Sequence, residues 1–246
     1  MIETEDGRRM AAAEEAHVGW RAASLRAGTP LLVVAVLALE VGHRGWLTDV
    51  DDAVSEWFVA HRNVAVDQIA LVVMNLVGPV EIAGVTVLVA TAVGWRFRSL
   101  LCGLTVIVTV GGASLICTLI KLLVVRSRPP IAVQETLETD YSFPSAHVTG
   151  TVALFGVLAM AMGLGRSRLA KCALVAIGLV AVSAVALSCL YFGVHWATDV
   201  VAAVLLGGAA VTVGAMVLRT LIEEAPPPPP RFVHPRSTSE ALIWTA

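Results

Sequence analysis

The sequence predicts an all-α polytopic membrane protein, a bundle of about six transmembrane helices. Three observations predict it. The 246-residue chain is 57% hydrophobic and only 15% charged, where globular chains carry about 25% charged residues, and its mean hydropathy is +0.80. Its apolar residues fall in runs long enough for a bilayer, which takes about 17–25 residues per helix. Its basic residues gather at one set of run ends. A net charge of −2 argues against a nucleic-acid binder, which clusters Lys and Arg on one face. Six Phe, six Trp and two Tyr are too few for base-stacking platforms.

In chain order, residues 1–27 form a leader expected to be flexible and cytoplasmic. Its acids (Glu3, Glu5, Asp6, Glu14, Glu15) fit a cleaved signal peptide poorly. A transmembrane domain over 28–221 follows. Its expected spans are 28–46, 78–95, 100–125, 148–165, 169–191 and 197–218. The first is the weakest, because Glu40 interrupts its apolar run. Between spans one and two, 51–62 reads as an amphipathic surface helix, and 64–77 extends it or begins span two. The proline run 226–230 cannot continue a helix and favours polyproline II, so 222–246 is expected to be a disordered cytoplasmic tail. No internal repeat is visible, which gives repeat-built transporter folds no support.

Orientation follows from the basic residues. Arg8, Arg9, Arg21 and Arg26 precede span one, and Arg96 and Arg98 separate spans two and three. Arg166, Arg168 and Lys171 separate spans four and five, and Arg219, Arg231 and Arg236 follow span six. These are twelve of the seventeen Lys and Arg, so that side is cytoplasmic by the positive-inside rule. Arg44, Arg62, Lys121, Arg126 and Arg128 mark the external side. The expectation is a multi-pass protein of the inner (cytoplasmic) membrane with both termini cytoplasmic. Trp20, Trp46, Trp95 and Trp196 lie near span ends, as an interfacial belt requires. Cys102, Cys117, Cys172 and Cys189 show no zinc-site spacing and read as small hydrophobes.

Ionisable residues beside spans are costly to desolvate and mark function by default. Three groups lie at the external ends of spans three to six. Lys121 and Arg128 are two helical turns apart, so they share a face while the helix lasts, until Pro129 biases the chain out of it. Snorkelling cations would look the same. Phe143-Pro144-Ser145-Ala146-His147 precedes an apolar run, so Ser145 is a plausible N-cap. The free N–H groups of that helix start suit a phosphate; an ordinary cap with a surface histidine is the plain alternative. His195 and Asp199 stand at i and i+4 at the start of span six. Asp199 can take a hydrogen bond from one ring nitrogen and leave the other basic. A structural pair capping the helix is the alternative.

Together, Lys121-x6-Arg128-Pro129, Pro144-Ser145-Ala146-His147 and Ser188-x6-His195-x3-Asp199 resemble the three-part signature of the type 2 phosphatidic acid phosphatase family. That family shares its site with vanadium haloperoxidases and glucose-6-phosphatase. The resemblance covers about residues 65–218. It implies a metal-independent phosphatase without cofactor, working through a phosphohistidine: His195 as nucleophile, Asp199 orienting it, His147 as general acid and then base. Lys121, Arg128, the Ser145 hydroxyl and the Ala146 N–H would hold the phosphoryl oxygens. Two positions depart from the signature. Ala146 stands where Gly is usual, and Cys189 follows Ser188 where the family has a second phosphate-binding Arg. Arg126 lies close enough in sequence to lend a guanidinium in its place.

The sequence therefore leads to a lipid phosphatase with an external active site, the segment 131–141 framing its entrance. Phosphatidic acid, phosphatidylglycerophosphate and undecaprenyl diphosphate all fit as membrane-lipid substrates, and the sequence selects none. Two other readings stay open: a relative that binds lipid phosphate without turnover, because Cys189 replaces a cation, and a lipid transporter or scramblase. The latter is disfavoured because Glu40, Glu81, Lys121 and Asp199 sit near span ends rather than at the midplane. Oligomeric state is not legible.

Overall fold

The computed structural model describes residues 25–43 and 45–223. Eight α-helices and one short 3-10 turn make up its regular structure, with no strand among the described residues. Six helices are long and apolar enough to cross a membrane: α1 (Leu25–Gly42), α4 (Pro79–Phe97), α5 (Leu100–Val124), α6 (Ala146–Gly163), α7 (Arg168–Tyr191) and α8 (Ala197–Glu223). Two shorter helices, α2 (Trp46–Ala60) and α3 (Val64–Leu76), lie between the first two spans. The leader and the proline-rich tail expected from the sequence fall outside the described residues, apart from the starts and ends of α1 and α8.

The chain supplies its own stops and starts. Asn63, Ser99, Ser145 and Ser167 cap α3, α5, α6 and α7 through their side-chain oxygens, each satisfying an N–H that the helix itself cannot. Pro79 sits in the first turn of α4, where its missing N–H costs nothing. Span one differs from the expected 28–46. It ends at Gly42, and Trp46 opens α2 instead. Glu40, which interrupts the apolar run, turns to that junction and accepts from the Leu47 N–H at 3.5 Å. The 64–77 segment is a helix of its own. Its 13 residues are too few to span a bilayer.

The interior is built by α5, α6 and α8. Helix α6 packs against α4, α5, α7 and α8, α5 also packs against α4 and α8, and α3 lies on α7. Without a hydrophobic drive between helices in lipid, close approach depends on small residues. A Cβ on Gly103 would stand 2.7 Å from the Ala90 carbonyl oxygen of α4, and one on Gly207 would stand 2.7 Å from Val152 of α6. Buried Thr86 bonds back to the Ile82 carbonyl at 2.6 Å and Thr109 to the Thr105 carbonyl at 2.7 Å, which satisfies those two hydroxyls within their own helices. Outward faces carry Leu and Val, with Leu100 92% and Leu123 82% exposed. That is the reverse of a water-facing surface. This is a multi-pass membrane protein.

Candidate active site

The cations come from the end of α5 and the strand of chain that leaves it. The helix stops at Val124, and Val125 takes a left-handed conformation (φ 53°) with its N–H on the Lys121 carbonyl. A β-branched residue there is strained. Arg126 and Arg128 are thereby swung off the helix, so Lys121 and Arg128 do not meet by sharing a helical face as their spacing suggested. They meet at Asp140. Lys121 Nζ lies 2.8 Å from Asp140 Oδ2, and Arg128 Nη2 pairs with Oδ1. Lys121 also donates to the Tyr141 carbonyl, and Arg128 to the carbonyls of Asp140 (2.8 Å) and Val194 (2.6 Å). Burial pushes the Asp140 carboxyl up, but hydrogen bonds from Lys121 and Arg128 and their charge outweigh it and bring it down to about 2.

His195 sits in the turn between α7 and α8, two residues before α8 begins. It is 2% exposed. Its Nδ1 faces Asp199 Oδ2 at 3.4 Å, and its Nε2 faces Arg128 Nη1 at 3.3 Å. With Nδ1–H directed at the carboxylate, Nε2 is left as the lone-pair nitrogen toward the cations. Burial pushes the imidazole down to about 4, against the hydrogen bond and charge of Asp199, and with Arg128 and Lys121 pushing the same way as burial. Asp199 also accepts from the Trp196 N–H at 2.9 Å, reaching back over the first turn of α8 as a capping-box acid does. The orienting role and the capping role are thus held by one carboxylate.

Arg126 is placed differently from its expected use. Its guanidinium is 2.6 Å from Asp199 Oδ1, 2.6 Å from Asp51 Oδ2 and 2.6 Å from Thr198 Oγ1, and it lies over the Trp196 ring. It stands behind the His195–Asp199 pair and is fully engaged. Ser145 and His147 begin α6, where the Ser145 hydroxyl accepts from the Val148 N–H at 3.4 Å. Ala146 is exposed and presents the first N–H of that helix. Cys189 is fully buried, with Sγ 4.0 Å from Ser145 Oγ and 3.7 Å from Met74 Sδ of α3. A hydrophobic cluster that includes Ala70, Met74 and Val148 closes the space around Cys189.

A groove of ≈ 560 Å³ between α4, α5 and α6 runs up to this site. Ile82, Val87, Ile107 and Val110 line its depth, and Lys121, Asp140 and His147 its polar end.

Three supports carry little signal in the sequence. Asp51, on α2, is buried against Arg126. Arg62 donates to the carbonyls of Tyr191 (3.0 Å) and Val133 (2.6 Å) and to Glu135 (2.9 Å), fastening the 131–141 segment to the end of α7. Gly193 has φ +64°, and a Cβ there would stand 2.6 Å from the Val133 carbonyl oxygen; both conditions require glycine.

With this geometry in place, the family model of the PAP2 superfamily matches residues 102–222, which carry Lys121, Arg128, Ser145, His147, His195 and Asp199. The match covers just under half of the chain. The chain is similar to the decaprenylphosphoryl-5-phosphoribose phosphatase of two Mycobacterium tuberculosis strains, CDC 1551 / Oshkosh and ATCC 25618 / H37Rv. It is 40% identical to each over 108 residues, 43% of this chain and 53% of the relative. The chain thus spans about half the length of these curated relatives. Its fold is similar to that of the transmembrane PAP2-type phosphatidylglycerolphosphate phosphatase from Bacillus subtilis. The TM-score is 0.72 at 22% identity, over 84% of this chain and 98% of that one. That match supports the six-span helical architecture and nothing finer.

Proposed function

We propose that this chain is an integral-membrane phosphatase that hydrolyses a lipid phosphate or prenyl-linked phosphate at the external membrane face through a phosphohistidine. The observation that carries this reading is His195, buried between Asp199 on Nδ1 and Arg128 beside Nε2. In this reading Nε2 attacks phosphorus and Asp199 stabilises the imidazolium that results. His147 protonates the leaving oxygen, then takes a proton from the water that hydrolyses the intermediate. Lys121, Arg128, the Ser145 hydroxyl and the Ala146 N–H hold the phosphoryl oxygens. Charge spreads over three oxygens in such a transfer, so fixed cations and dipoles supply most of the acceleration.

The apolar groove ending at Lys121 and His147 supports a substrate whose tail stays in the bilayer while its phosphate reaches the site. The Mycobacterium relatives are named for a prenyl-linked phosphoribose. That makes a sugar phosphate on a prenyl carrier a reasonable substrate here, beside phosphatidic acid, phosphatidylglycerophosphate and undecaprenyl diphosphate. Cleavage needs no cofactor in this mechanism.

Buried Cys189 favours one second reading, a protein that binds lipid phosphate without turnover, because one transition-state cation is absent. Phosphate release from those four lipids, with wild type and His195→Ala side by side, separates the two. Release that His195→Ala abolishes is the expected result. Binding of the same lipids without release by wild type would move the protein to the second reading.

A further inference from the structure

Helix α2 reads from the sequence as a surface helix, and three of its acids, Asp49, Asp52 and Glu56, are exposed. Asp51 is turned inward and only 1% exposed. Its Oδ2 lies 2.6 Å from Arg126 Nη2 and accepts from Thr198 Oγ1 at 2.6 Å, while its Oδ1 accepts from the Thr198 N–H at 2.8 Å. Arg126 Nη1 reaches Asp199 Oδ1 at 2.6 Å, and the other Asp199 oxygen faces His195. We propose that Asp51 is a positioning residue for His195, acting through Arg126 and Thr198 on Asp199. The proposal rests on His195 as the working nucleophile.

Charge arithmetic gives the reason. Arg126 alone on Asp199 would cancel the carboxylate that a phosphorylated, positively charged His195 needs. Asp51 shares that guanidinium, so the three groups together keep one net negative charge beside the imidazole. The same carboxylate binds the Thr198 N–H in the first turn of α8, so α2 also holds in place the turn that carries Asp199. Buried charges are tolerated only when each is paired and hydrogen-bonded, and here every one is.

The remaining charges near His195 lie on the substrate side. Lys121 and Arg128 are set against Asp140 and Glu138, and His147 belongs to α6. Cys189, from α7, is buried in an apolar cluster. A phosphoryl group arriving at Lys121 and Arg128 displaces Asp140, so the acids on that side cannot supply the charge that Asp51 keeps behind Asp199.

The test uses the full chain in detergent. Its readouts are kcat, KM and the His195 titration followed by ¹⁵N-histidine NMR, with His195→Ala for assignment. Asp51→Asn is expected to move His195 down and Arg126→Gln to move it up, each by about 0.5–1 pH unit, the scale of a neighbouring charge. Asp51→Asn is also expected to lower kcat about tenfold, the scale for the outer partner of a functional histidine, with KM changed less than about twofold. Asp51→Glu restores part of the loss, and Asp52→Asn on the exposed face changes nothing. A purely structural role would loosen the site in both variants and move His195 up in both.

Shifts in the same direction, or no shift, overturn the proposal. Should Asp51→Asn fail to fold, Arg126→Gln carries the test, and an unchanged His195 titration there overturns it. The titration needs no turnover, so failure to find a cleaved lipid would sink the phosphatase reading and leave this result standing.

Discussion

His195 and Asp140 decide the behaviour of the site at the scale of single residues. The imidazole is held at about 4, below its ordinary value of 6.5, and the lone pair on Nε2 is lost as pH falls through the lower value. Asp140, at about 2, stays ionised throughout that range and does not contribute to that loss. In ¹⁵N-histidine NMR, the neutral His195 ring is therefore expected to persist from neutral pH to near 5 and to be lost toward 4. Half-loss near 6.5 would contradict it. Asp140 also occupies Lys121 and Arg128, so in the proposed mechanism a phosphoryl group must displace it. Half its side chain is exposed (55%), which limits each ion pair to about 0.2–1 kcal/mol. Asp140→Asn is expected to tighten inhibition by inorganic phosphate roughly two- to fivefold, and weaker inhibition would show that Asp140 assists binding instead. Lys121, Arg128, His195 and Asp199 were legible because each is a polar residue set against an apolar run. Asp140 and Asp51 were not, because each sits among other acids, where nothing in the sequence separates an inward carboxylate from a solvated one.

At the scale of elements, α3 sets the surroundings of Cys189. The long spans were legible from length and hydropathy alone, but a mostly apolar stretch of 13 residues at Val64–Leu76 fits neither a span nor a loop. Nothing in its residue pattern shows that Met74 from this helix packs on Cys189. An arginine at 189 would meet Met74, Val148 and Val185 in a buried cluster. Overpacking of that kind costs about 1–3 kcal/mol, and an unpaired buried charge adds to it. Cys189→Arg alone is accordingly expected to lower the melting temperature in detergent without raising phosphate release. Cys189→Arg with Met74→Ala should recover part of the stability and raise release above wild type. A gain in release from the single substitution, with no loss of stability, would mean that α3 yields and that the missing cation alone limits the protein.

At the scale of the whole molecule, the two ends of the bundle are chemically different. Lys121, Arg126, Arg128, His147, His195 and Asp199 gather at one end, roofed by α2 and by the 131–141 segment that Arg62 fastens down. The other end carries Arg96, Arg98, Arg166, Arg168, Lys171 and Arg219 at helix termini, where no comparable set of paired acids is found among the described residues. The positive-inside rule counts Lys and Arg close to the span ends, and this end holds more of them than the site end does. The site end should therefore face outward. Leu137, 69% exposed in the site segment, and Arg166, exposed in the α6–α7 turn, report the two ends. In a Cys172→Ala background, which removes the one exposed cysteine among those described, Leu137→Cys is expected to react with a membrane-impermeant maleimide in intact cells. Arg166→Cys should react only after the membrane is opened. The reverse pattern would put the site on the cytoplasmic face and require a substrate drawn from the inner leaflet. Equal labelling of both positions in intact cells would mean that the charge asymmetry does not fix the orientation of this chain.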